Sequence, residues 1–231
     1  MIYFRDVALE TIAPARVVDV LISPVGLNPL AHEQPIRPGS TFVRNRDGER
    51  AVQITFALLT QDREERAGQI AAIYKWARSA APSPLRLPGY SGRYLNAICT
   101  GLPEPSTRQW WESKLRLVFT CYDPYWYADT VRSVACGTAF EAIGSVAPKL
   151  RILRTLGSAA SNQSYSNGME TMTFSSIPAG QMVIDLDAQT AAVGSTSIIQ
   201  YLSFTSRFLR SKQGAQTITG TGTVEITERW A

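Results

Sequence analysis

Few residues in this 231-residue chain have the types and spacing that catalysis needs. His32 is the sole histidine, so any Ser-His-Asp or Cys-His nucleophile would have to route through it. It lies in a stretch with prolines at 24, 29, 35 and 38, read as a long irregular arm, and it has no metal-ligating company nearby. There is no Gly-x-Ser-x-Gly elbow and no phosphate-cradling Gly-rich loop with a lysine; Gly220-Thr221-Gly222 is too short. Glycoside hydrolysis needs only two suitably separated carboxylates. Asp185 and Asp187, two apart on a predicted strand, fit that by residue type but read as a solvent-facing or turn-flanking pair. Cys99, Cys121 and Cys136 are odd in number and widely spaced, which gives neither a disulfide framework nor a metal pair; buried free thiols are expected. Asn162-Gln163-Ser164 fits a glycosylation acceptor, which carries no weight without a secretion signal. The expectation is therefore no catalytic, cofactor-binding or metal site, no cofactor, and no enzyme.

The elements that must be positioned are strands, and the stretch that organises them is Lys114–Tyr127, KLRLVFTCYDPYWY. Leu115, Leu117 and Phe119 alternate with Arg116, Val118 and Thr120, the period of a half-buried strand. Asp123-Pro124 ends regular pairing, because proline lacks a donor and biases its predecessor towards extended or turn geometry. Tyr122, Tyr125, Trp126 and Tyr127 crowd that stop, and so much aromatic surface calls for burial. Beyond it the composition shifts to Ser, Thr, Gly and Ala. The expected division is a first domain over residues 1–133 and a second over 134–231.

Composition bounds the rest. With 45% apolar and 18% charged residues the chain is that of an ordinary globular protein, and no apolar run approaches the roughly 20 residues of a membrane helix. Arg5 and Asp6 follow the start directly, so a chain made and kept in a cytoplasm until assembly is expected. The net charge of +4 rests on 19 Arg against 4 Lys. Arginine suits bidentate, planar interface contacts. The arginines are scattered among acids such as Asp62, Glu64 and Glu65, which argues against a nucleic-acid patch.

In chain order, Ile2–Tyr3–Phe4 reads as a short strand and Ala15–Ser23 as a nearly continuous apolar strand covered on both faces. Thr41–Arg44 and Ala51–Leu59 read as a hairpin around Asn45-Arg46-Asp47-Gly48, with Val52, Ile54 and Phe56 inward. Asp62–Ala80 is the one strong helix, with Asp62 as N-cap and Glu65 completing a capping box. Its expected apolar stripe is Ile70, Ile73, Tyr74 and Ala77, and Gly68 is read as a close-packing position. Leu85–Leu87 and Arg93–Cys99 are strands, Pro88-Gly89 a turn, Leu102–Thr107 a loop, and Trp110-Trp111 lead into the organising stretch. Beyond Val134, strands are expected at Lys149–Leu156, Glu170–Ser175, Gln181–Leu186, Ile198–Phe208 and Gln216–Trp230. Gly157–Ser166 reads as a polar loop, with turns at Asn167-Gly168, Pro178-Ala179-Gly180 and Gly214. The fold class is mainly β with one helix: an antiparallel α+β first domain and a jelly-roll sandwich.

This order of elements resembles the siphovirus distal tail protein family over nearly the whole chain. The residues that carry the resemblance are the basic alternating strand Arg50–Leu59, the capped helix, and the Tyr90–Tyr94 segment. With them go the strand that closes on Phe119-Thr-Cys-Tyr-Asp-Pro-Tyr-Trp-Tyr and, in the second half, Pro148-Lys-Leu-Arg-Ile, Met182-Val-Ile-Asp-Leu-Asp and Thr223–Trp230. Phe119, Asp123, Pro124, Tyr125, Trp126 and Tyr127 form its most specific motif. The Arg-rich Ser206–Lys212 stretch and the Gly157–Ser166 loop are not diagnostic of it.

The resemblance implies a β-sandwich or split-barrel N-terminal domain and a galectin-like C-terminal sandwich. It further implies a homo-oligomeric ring, expected to be a hexamer, at the virion tail tip of a phage or prophage. That ring would join the tail-tube protein to tail-tip or fibre proteins, and DNA would pass its lumen without specific binding. Two other readings stay open: a carbohydrate-binding module, with Tyr165, Tyr201 and Trp230 as stacking candidates, and a tail-tube subunit.

Overall fold

The computed structural model describes residues 1–33, 40–60, 62–102 and 114–231. Trp110-Trp111 and most of the Leu102–Thr107 loop lie outside these residues. The chain divides into two compact units, Met1–Trp126 and Tyr127–Ala231. The expected junction at Val134 instead falls inside the strand Arg132–Ala135, which pairs antiparallel with Thr223–Trp230 in the second unit.

In the first unit the ladders that link Tyr3–Phe4, Ala15–Ile22, Arg50–Leu58, Ser83–Arg86, Arg93–Gly101 and Lys114–Cys121 are all antiparallel. Its centre is Arg50–Leu58, flanked by Ala15–Ile22 on one edge and Lys114–Cys121 on the other. Lys114–Cys121 then pairs with Arg93–Gly101, which pairs with Ser83–Arg86, and that strand with Tyr3–Phe4. The alternation seen in the sequence is the alternation of burial: Val52, Ile54 and Phe56 face Phe119, Leu117 and Leu115 in register, and all six are buried.

Several expectations about this unit are overturned. Ser40–Asp47 does not form a hairpin with Arg50–Leu58, because both edges of the latter are occupied. It pairs with Leu27–Glu33, so the Pro-rich arm is in part a two-stranded ribbon. A free edge is where a proline such as Pro29 can sit without costing a ladder bond. The ribbon returns where Gly48 N donates to Gly26 O at 2.6 Å. A Cβ on Gly48 would stand 2.8 Å from the Asn28 amide nitrogen.

The helix spans Arg63–Ala77, and its end three residues early follows from extended backbone at Arg78 (φ −71°, ψ 129°) on the approach to Pro82. Asp62 caps it by accepting from Glu64 N at 3.1 Å, while Glu65 bonds the Thr60 hydroxyl at 2.8 Å instead of closing a box with Asp62. The buried stripe is Arg66, Gln69, Ile73, Trp76 and Ala77; Ile70 and Tyr74 are only half-buried. Trp76 decides that rotation. Its ring packs edge-on to Phe4 and Phe119, at 5.8 and 6.4 Å between centroids, and its indole N–H donates to Val7 O at 3.0 Å. Gly68 has nothing within 4 Å of a built Cβ, so it is not a close-packing glycine. A second helix, the single turn Leu9–Ile12, precedes the first long strand.

In the second unit a sheet runs in the order Thr196–Ser197, Thr190–Val193, Gly180–Asp185, Val146–Leu156, Thr223–Trp230, Arg132–Ala135. Two ribbons, Ala160–Ser166 with Thr171–Ile177 and Ala139–Ala142 with Gly214–Thr217, share one apolar core with it. That core joins Leu150, Ile152, Ile184 and Ile226 of the sheet to Phe140, Tyr165, Met172 and Phe174 of the ribbons. Gly157–Ser166 is therefore mostly strand; its polar residues occupy the open face while Tyr165 points inward. The turn at Asn167-Gly168 is as expected, with Gly168 at φ +83°.

Ile198–Phe208 is not a strand. It is a 3-10 turn, Ile199–Tyr201, followed by irregular chain in which the Ser206 hydroxyl bonds the Thr173 N–H and carbonyl that a ladder would use. Gln216–Trp230 is two strands on different sheets, broken where a Cβ on Gly222 would lie 2.4 Å from Leu153 O.

Candidate functional site

The Asp-Pro aromatic corner is built by the strand that runs into it. Phe119 is fully buried, 5.1 Å from the Phe4 ring, with Trp76 across from it. Cys121 ends the strand opposite Arg50, whose guanidinium is buried there. Burial pulls that guanidinium below its ordinary value, with Cys121 and Tyr90 opposing the effect. Its Nε finds no hydrogen-bond partner among the described residues. Tyr122 is exposed, Asp123 half-buried and Pro124 buried. The Tyr125 hydroxyl donates to the Asp47 carboxylate at the base of the ribbon. Trp126, 4% exposed, stacks on Tyr90. Tyr127 is buried in turn, with the Lys149 ammonium 4.7 Å from its ring centre. Burial of the crowding aromatics, read from the sequence, thus holds for Trp126 and Tyr127 and fails for Tyr122.

The candidates for chemistry are dispersed. Asp185 accepts from the N–H groups of Asp187 and Ala188 at 3.1 and 2.9 Å, a turn that its carboxylate closes on itself. Arg151 stands 3.8 Å from Asp185, and Asp187 pairs with Arg229 at 3.2 Å and Lys149 at 3.6 Å. Both acids are thus matched to cations at a turn, which does not make an acid–base pair. Cys121 is sealed in the core, and burial raises the thiols of Cys99 and Cys136 as well. His32 lies on the ribbon strand Leu27–Glu33. Among the described residues no group of three or more His, Cys, Asp or Glu could hold a metal ion. Of the sugar-stacking candidates, Tyr165 is buried with its hydroxyl on Thr221 O at 3.1 Å, Trp230 is half-buried and Tyr201 is exposed.

A surface the sequence reading misassigned is the strand Ala15–Ile22. Far from being covered on both faces, it leaves Val18 46% and Leu21 59% exposed. Among the described residues its one ladder partner is Arg50–Leu58, so its outer edge presents backbone donors and acceptors without a strand beside them. The register slips between Val17 and Asp19, a bulge on that ladder. The charge of Asp19 in the middle of the apolar run was the available hint.

No protein-family model matches the chain, and no curated protein matches it. Solved structures do. The SPP1 Dit protein, described as a paradigm of the hub adsorption apparatus in phages that infect Gram-positive bacteria, aligns with a TM-score of 0.76 at 13% identity. That alignment covers 100% of this chain and 98% of that one. A component of the phage P2 baseplate in its activated, calcium-bound conformation aligns at TM-score 0.49 and 9% identity, over 93% of this chain and 90% of that one. The chain thus has the fold of the SPP1 Dit protein, the fold that the resemblance to siphovirus distal tail proteins implies.

Proposed function

We propose that this chain is a structural tail-hub protein of a siphovirus or prophage. Six copies close into a ring at the tail tip that joins the tail tube to the tip or fibre proteins and leaves a lumen for DNA. The chain is made in the bacterial cytoplasm and works by adhesion, without chemistry of its own. The observation that carries this reading is the likeness in fold to a phage hub protein along the entire chain. The bare edge of Ala15–Ile22 supports it, since a strand edge flanked by exposed Val18 and Leu21 suits pairing with another copy. A heterologous contact of that kind closes into a ring when its rotation divides the circle.

The experiment is mass photometry and negative-stain imaging of the purified full chain, alone and with the tail-tube protein of the same virus. Closed rings of six are expected. The double variant Val18→Lys, Leu21→Lys, altered only at exposed positions, should remain folded and monomeric. A wild-type chain that stays monomeric even beside the tube protein sinks the reading.

A further inference from the structure

The Arg-rich stretch that the fold does not explain has an unusual centrepiece. Phe204 is 104% exposed, a whole aromatic side chain in solvent. It is not on a loose loop. It sits in a turn closed by Ser206 N donating to Ser203 O at 2.9 Å. That turn is tied to the strand Thr171–Ile177 from both sides. Ser203 N donates to Thr173 O at 2.8 Å, the Ser206 hydroxyl accepts from Thr173 N at 2.9 Å, and Arg207 N donates to Thr171 O at 3.3 Å. Leu209 after the turn is buried in the apolar core, and Leu202 before it and Phe208 after it are half-buried against that core. The chain dips in, brings Phe204 out, and dips in again.

Along the chain that carries it the charge has one sign. From Ala188 to Val224 the sequence contains no Asp or Glu, while Arg207, Arg210 and Lys212 fall within it. Arg210 is held by Glu170, at 3.5 Å through its side chain and 2.6 Å through its backbone N–H. Arg207 and Lys212 are exposed and make no ion pair among the described residues. Ile199 and Tyr201, both exposed, add apolar surface on the same segment.

We infer that Phe204, presented on its pinned turn with Arg207 and Lys212 beside it in the chain, is the plug that docks this unit into an apolar pocket with an acidic rim on a second virion protein. Aromatic anchors seated in pockets carry most of the binding energy of interfaces, and an anchor already fixed in place loses little freedom on binding. The acid-free segment selects a partner rim of opposite charge. Two unengaged cations are too few to hold a polyanion by charge alone, and one isolated ring is not the row of stacking aromatics along a charged groove that holds a single strand. The partner is therefore a protein.

The inference rests on the tail-hub reading, and its test separates the two. The full chain carries p-benzoylphenylalanine at position 204 in assembled virus particles, and parallel particles carry Phe204→Ser or Arg207→Ser. Irradiation should link position 204 to one virion protein other than this chain, at an apolar residue bordered by Asp or Glu. Particles with Phe204→Ser should keep this chain at its normal copy number and lose that protein; Arg207→Ser should reduce it. A crosslink to a second copy or to glycan, no crosslink, or full composition in the Phe204→Ser particles overturns the docking inference alone. Absence of this chain from purified particles overturns the tail-hub reading and takes the docking inference with it.

Discussion

Tyr90 and Trp126 lie face to face, their ring centroids 4.3 Å apart and their planes 11° from parallel. The pair joins the segment after the Pro88-Gly89 turn to the corner after Asp123-Pro124, two places where regular strand pairing stops. Trp126 is the buried member and Tyr90 the half-exposed one. Trp126→Ala should cost about 3–5 kcal/mol of stability, as other buried Trp truncations do. Tyr90→Ala should cost nearer the ~0.5–1.5 kcal/mol of an aromatic pair. Urea denaturation of the two variants checks the ranking; equal losses would show that the stacking partner and not burial sets the value.

Two glycines should respond in opposite directions to alanine. Gly68 lies mid-helix with open space around it, so Gly68→Ala should stabilise by roughly 0.5–1 kcal/mol through helix propensity and a less disordered unfolded chain. At Gly144 a Cβ would lie 2.0 Å from Arg229 O, so Gly144→Ala has to displace the closing strand. A rise in melting temperature for the first and a clear fall for the second is the expected thermal result.

Glu228 is a buried acid with full employment. Its carboxylate accepts from Arg132 at 2.7 Å and from the backbone N–H groups of Ile143 and Gly144 at 3.0 and 3.1 Å. Glu228→Ala leaves the Ile143 and Gly144 N–H groups without their acceptor and removes the carboxylate from Arg132, which keeps Glu141 O, with an expected loss of about 2–3 kcal/mol. Glu228→Gln, which keeps an acceptor, should lose less. Guanidinium melts of the pair measure the difference, and an alanine variant as stable as wild type would refute the clasp.

Burial pushes the Cys121 thiol up to about 12 from an ordinary 9.0, with Asp123 adding to the rise and Arg50 opposing it. A thiol that resists ionisation in the folded state stabilises that state while it stays neutral. The contribution is whole below about pH 9 and is lost as pH climbs towards about 12. Cys121→Ala should therefore flatten the decline of the denaturation midpoint between about pH 9 and about pH 12. Cys121 should also react with a thiol reagent only as fast as the chain unfolds.

How much of this was legible beforehand follows from where the information sits. Arg50–Leu58 and Lys114–Cys121 wrote their burial into a period of two, and their register followed. The Asp62 cap was visible because capping is local. The helix stripe holds at Ile73 and Ala77 and is otherwise rotated towards Arg66, Gln69 and Trp76, because Trp76 outweighs Ile70 and Tyr74 in the core. Ribbon partners were misread for a different reason. Pro29 and the polar run before Tyr165 argue locally against strands, but an outer ribbon tolerates both. Phe204 was unreadable, since an outward Phe and an inward Phe look alike in sequence; only the hydrogen bonds that pin its turn tell them apart.

The exposed charge of Asp19 has a consequence for the chain outside any assembly. Val17-Val18-Asp19-Val20-Leu21-Ile22 has the make-up of a self-stacking segment, interrupted by one carboxylate set where the ladder slips. That residue is a gatekeeper against fibrils. Replacing it with valine would leave the native fold its contacts and give the protein a second, amyloid-like destination, visible as thioflavin-positive aggregates at concentrations where the parent stays clear.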